Sequence, residues 1–170
     1  MPEKGSRTGT GVPMRVAIFL FILTAGLPAV FAAGVTVTGG YGFVIDQSDL
    51  SGGAGSNFNP GHSSPVDAIL VTLDGMVDDL DAWQIMVRKE NSLWQGGLGL
   101  GLLRTAAGTG TGTISGGDVL PLALTATDQV FFEGAGNRNA IPVQLMLDGV
   151  SVLIPADAYA ATLVFTIVDI

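Results

Sequence analysis

The sequence predicts an all-β domain, an antiparallel β-sandwich of Ig-like or jelly-roll-like type, behind a short N-terminal leader. Three observations predict it. Glycine pairs punctuate the chain from residue 33 onward, at Gly39-Gly40, Gly52-Gly53, Gly96-Gly97 and Gly116-Gly117. Between them lie short runs rich in Val, Ile, Leu, Thr and Phe, and β-prone runs separated at regular intervals by turn residues mark a sandwich or barrel. No segment after residue 32 carries a long apolar repeat of helical period with caps at its ends.

Strands are expected at residues 35–38, 41–46, 66–73, 82–89, 98–104, 119–124, 129–133, 141–147, 150–154 and 159–168. Three of them alternate with period 2, the mark of a strand with one buried face. Trp83, Ile85 and Val87 share one face, as do Ile141, Val143, Leu145 and Leu147, and as do Tyr159, Ala161, Leu163, Phe165 and Ile167. Asp148-Gly149 between two apolar runs signals a tight hairpin. Two stretches fall outside the scheme: a polar loop at 47–65 and a Thr/Gly tract at 105–117, the latter expected to be a flexible crossover between sheets.

The first 32 residues read as an export signal. Lys4, Arg7 and Arg15 precede the apolar run from Val16 to Ala25, Gly26 and Pro28 follow it, and Val30-Phe-Ala32 places small residues where a leader peptidase reads them. The expected cut lies after Ala32, giving a signal peptide at 1–32 and a single domain at 33–170. The apolar core is short for a bilayer span, so no transmembrane span is expected in the mature chain; an uncleaved N-terminal anchor is the alternative. With no cysteine in the chain, lipoprotein anchoring, disulfides and thiolate metal sites are all excluded. The leader holds three of the seven basic residues and one of the fifteen acids, so residues 33–170 carry a net charge of −10. Arg88, Lys89, Arg104 and Arg138 are then the only cations, too few to track a phosphate backbone, and nucleic acid is not an expected partner.

Few residues offer chemistry. His62 is the single histidine and lies in the Gly/Ser/Asn-rich loop without a nucleophile-elbow context, so it reads as a solvated loop side chain. Asp74, Asp78, Asp79 and Asp81 gather in one connecting segment, where oxygen ligands could hold Ca²⁺; their spacing does not match an EF-hand loop, and a solvated acidic turn is the other reading. Glu90 and Glu133 could join these acids in a carboxylate pair for glycoside hydrolysis, but no spacing supports it. The glycine-rich segments lack the following Gly-Lys-Ser/Thr of a phosphate-binding loop. Trp83 alternates in phase with core residues, whereas Trp94 lies in a turn, Asn91-Ser-Leu-Trp-Gln-Gly-Gly97, where an aromatic can stack on a sugar or cover one end of a sandwich. Asn57 and Asn59 are the polar loop residues that would accompany Trp94 in a sugar site.

Trp83-Gln-Ile85 together with Tyr159-Ala-Ala-Thr-Leu-Val-Phe-Thr-Ile167 resembles the paired motifs of the WxL family of bacterial cell-wall-binding domains. Here Ile85 stands in place of Leu, and Phe165 and Ile167 in place of the second Trp and Leu. The same C-terminal segment, introduced by Pro155-Ala-Asp-Ala-Tyr159, is similar to the closing strand of spore-coat-U-like and fimbrial subunits. The resemblance implies a surface-located binding or structural protein without catalytic residues, in which Trp83, Tyr159 and Phe165 serve packing. The expectation is therefore an exported, non-catalytic module of the bacterial cell surface (wall-associated, coat or filament subunit), extracellular or periplasmic. A carbohydrate-binding domain is the alternative, and a small secreted hydrolase the remaining one. Its partners would be an envelope polymer or other protein subunits. Self-assembly could run through the alternating segment 33–38, from Ala33 to Thr38, either donated to a neighbour or used as the chain's own first strand.

Overall fold

A computed structural model describes residues 14–15, 17–20 and 33–170. The described residues are all-β, with two large sheets, a separate two-stranded pair and a single three-residue 3₁₀ turn, Gln47–Asp49, as the only described helix. In chain order the strands are β1 (Met14–Arg15), β2 (Ala17–Leu20), β3 (Gly34–Gly39), β4 (Val44–Ile45), β5 (His62–Ser63), β6 (Ile69–Asp74) and β7 (Ala82–Leu93). They continue with β8 (Gly99–Arg104), β9 (Ile114–Ser115), β10 (Leu122–Ala123), β11 (Gln129–Ala135), β12 (Arg138–Asp148) and β13 (Ala160–Asp169). One sheet runs β10-β8-β12-β6-β3, with β5 also on β12; the other runs β2-β13-β7-β11-β9. Every pairing among the strands after residue 33 is antiparallel, while β2 lies parallel to β13. β1 pairs with β4 apart from both sheets.

One apolar cluster draws on both sheets, which is the layout of a β-sandwich. From the first sheet come Ile69, Val71 and Leu73 of β6 and Ile141, Val143, Leu145 and Leu147 of β12; from the second come Trp83, Ile85 and Val87 of β7 with Ala161 and Leu163 of β13. The period-2 alternation thus lands on the inner faces as expected, because a strand with one dry face must turn every second side chain toward it. Trp83 anchors the second sheet: it is 1% exposed, its indole donates to the Gly136 carbonyl at 2.8 Å, and its ring meets Phe132 edge-on. Gly134 on the neighbouring strand makes room for it. A methyl there would stand 2.7 Å from the indole ring.

Several boundaries differ from the sequence expectation. Residues 150–154 form no strand: the Val150 amide donates to the Pro60 carbonyl and the Val152 amide to Asn57 Oδ1, so these donors go to the polar loop rather than to a ladder. Asp148-Gly149 does turn the chain, with Gly149 at φ 79°, but into a loop and not a hairpin. The expected strand at 119–124 shrinks to β10, and that at 41–46 to β4. The Thr/Gly tract does cross from one sheet to the other, and it is stitched down along the way. The Arg104 amide and guanidinium donate to the carbonyls of Gly117 and Gly116, Thr109 and Asn139 exchange backbone bonds, the Thr111 hydroxyl donates to Asp79, and β9 pairs with β11. The segment expected to be either the chain's own first strand or a strand donated to a neighbour is β3, and it pairs along its whole length with β6 of its own sheet.

Candidate functional site

The residues suggested for binding lie at one end of the sandwich without touching one another. β12 enters this end at Asp148 and β7 at Leu93, and the loop at 149–159 returns the chain to β13. Within it, Val150 and Val152 are tied to Pro60 and Asn57 on one side. On the other, Ile154 packs so closely that a methyl on Gly97 would come within 2.8 Å of it. The turn at 150–154 therefore separates Asn57 from the Trp94 turn, with Val152 and Leu153 exposed at its tip.

Trp94 is half-buried and held at two points. Its indole donates to the Leu98 carbonyl at 2.8 Å, and the Lys89 ammonium lies 4.8 Å from the ring centroid. Lys89 is itself the least expected residue here. It is 7% exposed and on the inner face of β7, in phase with Trp83, Ile85 and Val87. Burial lowers its pKa, because an ammonium loses hydration on entering the core. The period-2 phase that placed Trp83 inward would have placed Lys89 there too; only its charge argued against it.

Asn57 is spent on structure: its Oδ1 accepts from the amides of Phe58 and Val152, both at 2.9 Å. Asn59 is exposed, with its amide bonded to the Asp49 carbonyl and its own carbonyl facing His62 Nε2 at 3.0 Å. His62 is not a solvated loop side chain. It stands in β5 with its ring mostly covered, Nδ1 3.7 Å from Asp49 Oδ1, because β5 pairs with Met146 and Leu147 and draws the loop onto the sheet. Asp46 and Asp49 close the 3₁₀ turn as a capping box, each carboxylate accepting from the other end of the turn. The Ser48 hydroxyl, and after it the Ser48 amide, holds the Asp46 carboxyl below its ordinary pKa.

The four acids proposed as calcium ligands lie at the opposite end, and three of them accept hydrogen bonds from the turn or from the crossover beside it. Asp78 Oδ1 accepts from the Leu80 amide at 2.7 Å, Asp81 Oδ2 from the Val77 amide at 2.9 Å, and Asp79 from the Thr111 hydroxyl. Asp74 ends β6 opposite Gly34. Among the described residues no three His, Asp or Glu side chains come together as ligands for one ion. Glu133 faces Gln84, and Glu90 binds Arg88 at 2.9 Å. Two buried polar residues had no forewarning in the sequence. Arg104, 4% exposed, pairs with Asp118 at 2.9 Å beside its bonds to the crossover, and the Ser64 hydroxyl accepts from the Leu145 amide at 2.9 Å.

Among the described residues no helix is long and apolar enough to cross a membrane. No protein-family model, curated protein or solved structure matches the chain.

Proposed function

We propose that residues 33–170 form an exported, non-catalytic structural or interaction module of the cell surface, an Ig-like or jelly-roll-like sandwich released from a leader at 1–32. One observation carries this reading: the polar side chains that could have done chemistry hold loops in place instead. His62 faces Asp49 and Asn59, Asn57 ties down the 150–154 turn, and Asp78, Asp79 and Asp81 bind the backbone and hydroxyl groups around them. The product of those bonds is a rigid scaffold with stitched ends, which suits wall attachment or assembly with other subunits better than turnover. The test has two parts. Cell fractionation is expected to place the 33–170 chain outside the cytosol, and the purified chain to co-sediment with cell-wall polymer or to form filaments under the electron microscope. Recovery only of intact cytosolic chain overturns the export reading; a monomer that binds no envelope polymer overturns the module reading.

A carbohydrate-binding domain is the second reading, favoured by the way Lys89 and the Leu98 carbonyl fix the Trp94 ring. A preset aromatic loses little freedom when a sugar stacks on it. Titration with soluble glycans should then shift Trp94 fluorescence, and the shift should vanish in Trp94→Ala. Fluorescence unchanged by every glycan tried would sink it.

A further inference from the structure

We infer that two copies of this chain pair edge to edge through β13, antiparallel, with Thr166 of each copy on the twofold axis. The contact goes beyond the surface-module reading and does not depend on it. β13 is paired with β7 along its whole length, from Ala160 to Asp169. On its other side, among the described residues, only β2 pairs with it, from Ala160 to Leu163. β3, at the edge of the opposite sheet, runs close to β13, but its ladder is with β6. Val164 to Val168 thus present backbone donors and acceptors with no partner strand among the described residues. Natural sheets guard such an edge with lysine, proline, a bulge or an inward charge. Val164-Phe-Thr-Ile-Val168 has none of these, and its ladder with β7 runs without a register shift.

The order of side chains along this edge selects a second copy as its occupant. Around a twofold axis at Thr166, Thr166 faces its equivalent, Phe165 faces Ile167, and Val164 faces Val168. Each pair falls on one face of the sheet, because the paired positions share the same phase of the pleat. Aromatic with β-branched and threonine with threonine are favourable cross-strand pairs. The inner face gains most. Phe165 and Ile167 pack on the core yet stay partly exposed, whereas Ala161 and Leu163 before them are buried. A second copy lays its own Phe165 and Ile167 against that uncovered surface. The register is confined at both ends: an axis at Ile167 sets Asp169 opposite Phe165, and an axis at Phe165 requires Leu163, which β2 already holds. β3 offers less as an edge, since Val37 on its inner face is already covered, at 5% exposure.

The chain has no cysteine, so single replacements in the full-length protein report the register. Thr166→Cys under mild oxidation is expected to give a disulfide-linked dimer. Directly opposed antiparallel residues stand about 4.5–5.5 Å apart between Cα atoms, within disulfide reach. Thr127→Cys, exposed in a loop, measures linking by random collision. Val164→Cys and Val168→Cys should each link poorly alone and at least about fivefold better when mixed. Thr166→Lys, which sets like charges face to face, should weaken self-association at least about tenfold in sedimentation, with circular dichroism showing the sheet intact. The edge is uncharged but each chain carries a net charge of −8, so association of the parent should tighten as salt is raised. A Thr166→Cys chain that links no faster than Thr127→Cys overturns the inference, whether the edge is then empty or held by the chain's own N-terminal segment. So does a Thr166→Lys chain that associates like the parent. A monomeric parent that still binds envelope polymer overturns this contact and leaves the surface-module reading standing.

Discussion

Trp83 and Trp94 carry the same side chain into different surroundings, and their replacement should separate a core role from a surface one. Trp83 is fully enclosed and bonded to Gly136, whereas Trp94 is half-buried at the sandwich end. Trp83→Ala is expected to cost about 3–5 kcal/mol, from lost transfer energy and the cavity left behind. Trp94→Ala should cost clearly less in the same urea titration, and equal losses would refute the assignment. Lys89 gives a pH signature. Burial lowers its pKa, so the folded chain gives up that proton at lower pH than the unfolded chain, whose lysine titrates near about 10.4. Between the two values the unfolded state binds more protons, and stability must therefore rise with pH. Contact with the Trp94 face, worth about 0.5–2 kcal/mol, offsets only part of the cost of burying the charge. Lys89→Met is expected to raise stability at neutral pH and to flatten the rise that the parent shows on the acid side of about pH 10.4. A variant that keeps the parent's slope would show that another group is responsible.

β13 shows how an element can be phased by its sequence and still be graded by its neighbours. Tyr159, Ala161 and Leu163 are buried at 9%, 1% and 0%, whereas Phe165 and Ile167, on the same face, are only partly covered. Burial along this face falls toward the C-terminal end of the strand. Leu163→Ala is expected to cost about 2–5 kcal/mol and Phe165→Ala less, although Phe is the larger side chain. Thr166→Ala on the exposed outer face should cost least. A denaturant series in which Phe165→Ala exceeds Leu163→Ala would contradict this gradient. β3 belongs to the same lesson. Its alternation reads equally well as a strand for a neighbour or for its own chain, and only the pairing with β6 distinguishes the two.

At the scale of the whole molecule, charge is lopsided. Residues 33–170 hold fourteen acids against four cations, and two of those cations, Arg88 and Arg104, are already paired with carboxylates. Unbalanced like charges destabilise a compact state through self-repulsion, and salt screens exposed charges. Raising ionic strength from about 0.02 to 0.2 M should raise the melting temperature of the 33–170 chain. A fall would mean that the few ion pairs outweigh the repulsion. The two sheets are also joined by a crossover that starts at buried Arg104 and is bonded to both. They should accordingly melt together, with Trp83 fluorescence and backbone circular dichroism giving one midpoint.

What the sequence determined by itself is local. Alternation of apolar residues assigned the inner faces of β7, β12 and β13, because a strand's side-chain period is set by backbone geometry and needs no partner to be read. Glycine clusters marked where the chain turns, since positive φ and close approach are properties of single residues. The tertiary structure decided what local pattern leaves open. Whether the residues after Gly149 continue as a strand depends on a competing acceptor, and Asn57 and Pro60 supplied one from ninety residues away in the chain. Whether Lys89 turns inward depended on Trp94 folding over it, and whether His62 is solvated depended on β5 finding β12. The candidate site was legible only as a set of residue types: Trp94 and Asn57 do share one end, but the turn between them and the bonds that occupy Asn57 come from long-range pairing. Such contacts form between segments far apart in sequence, and no local period records which of them will meet.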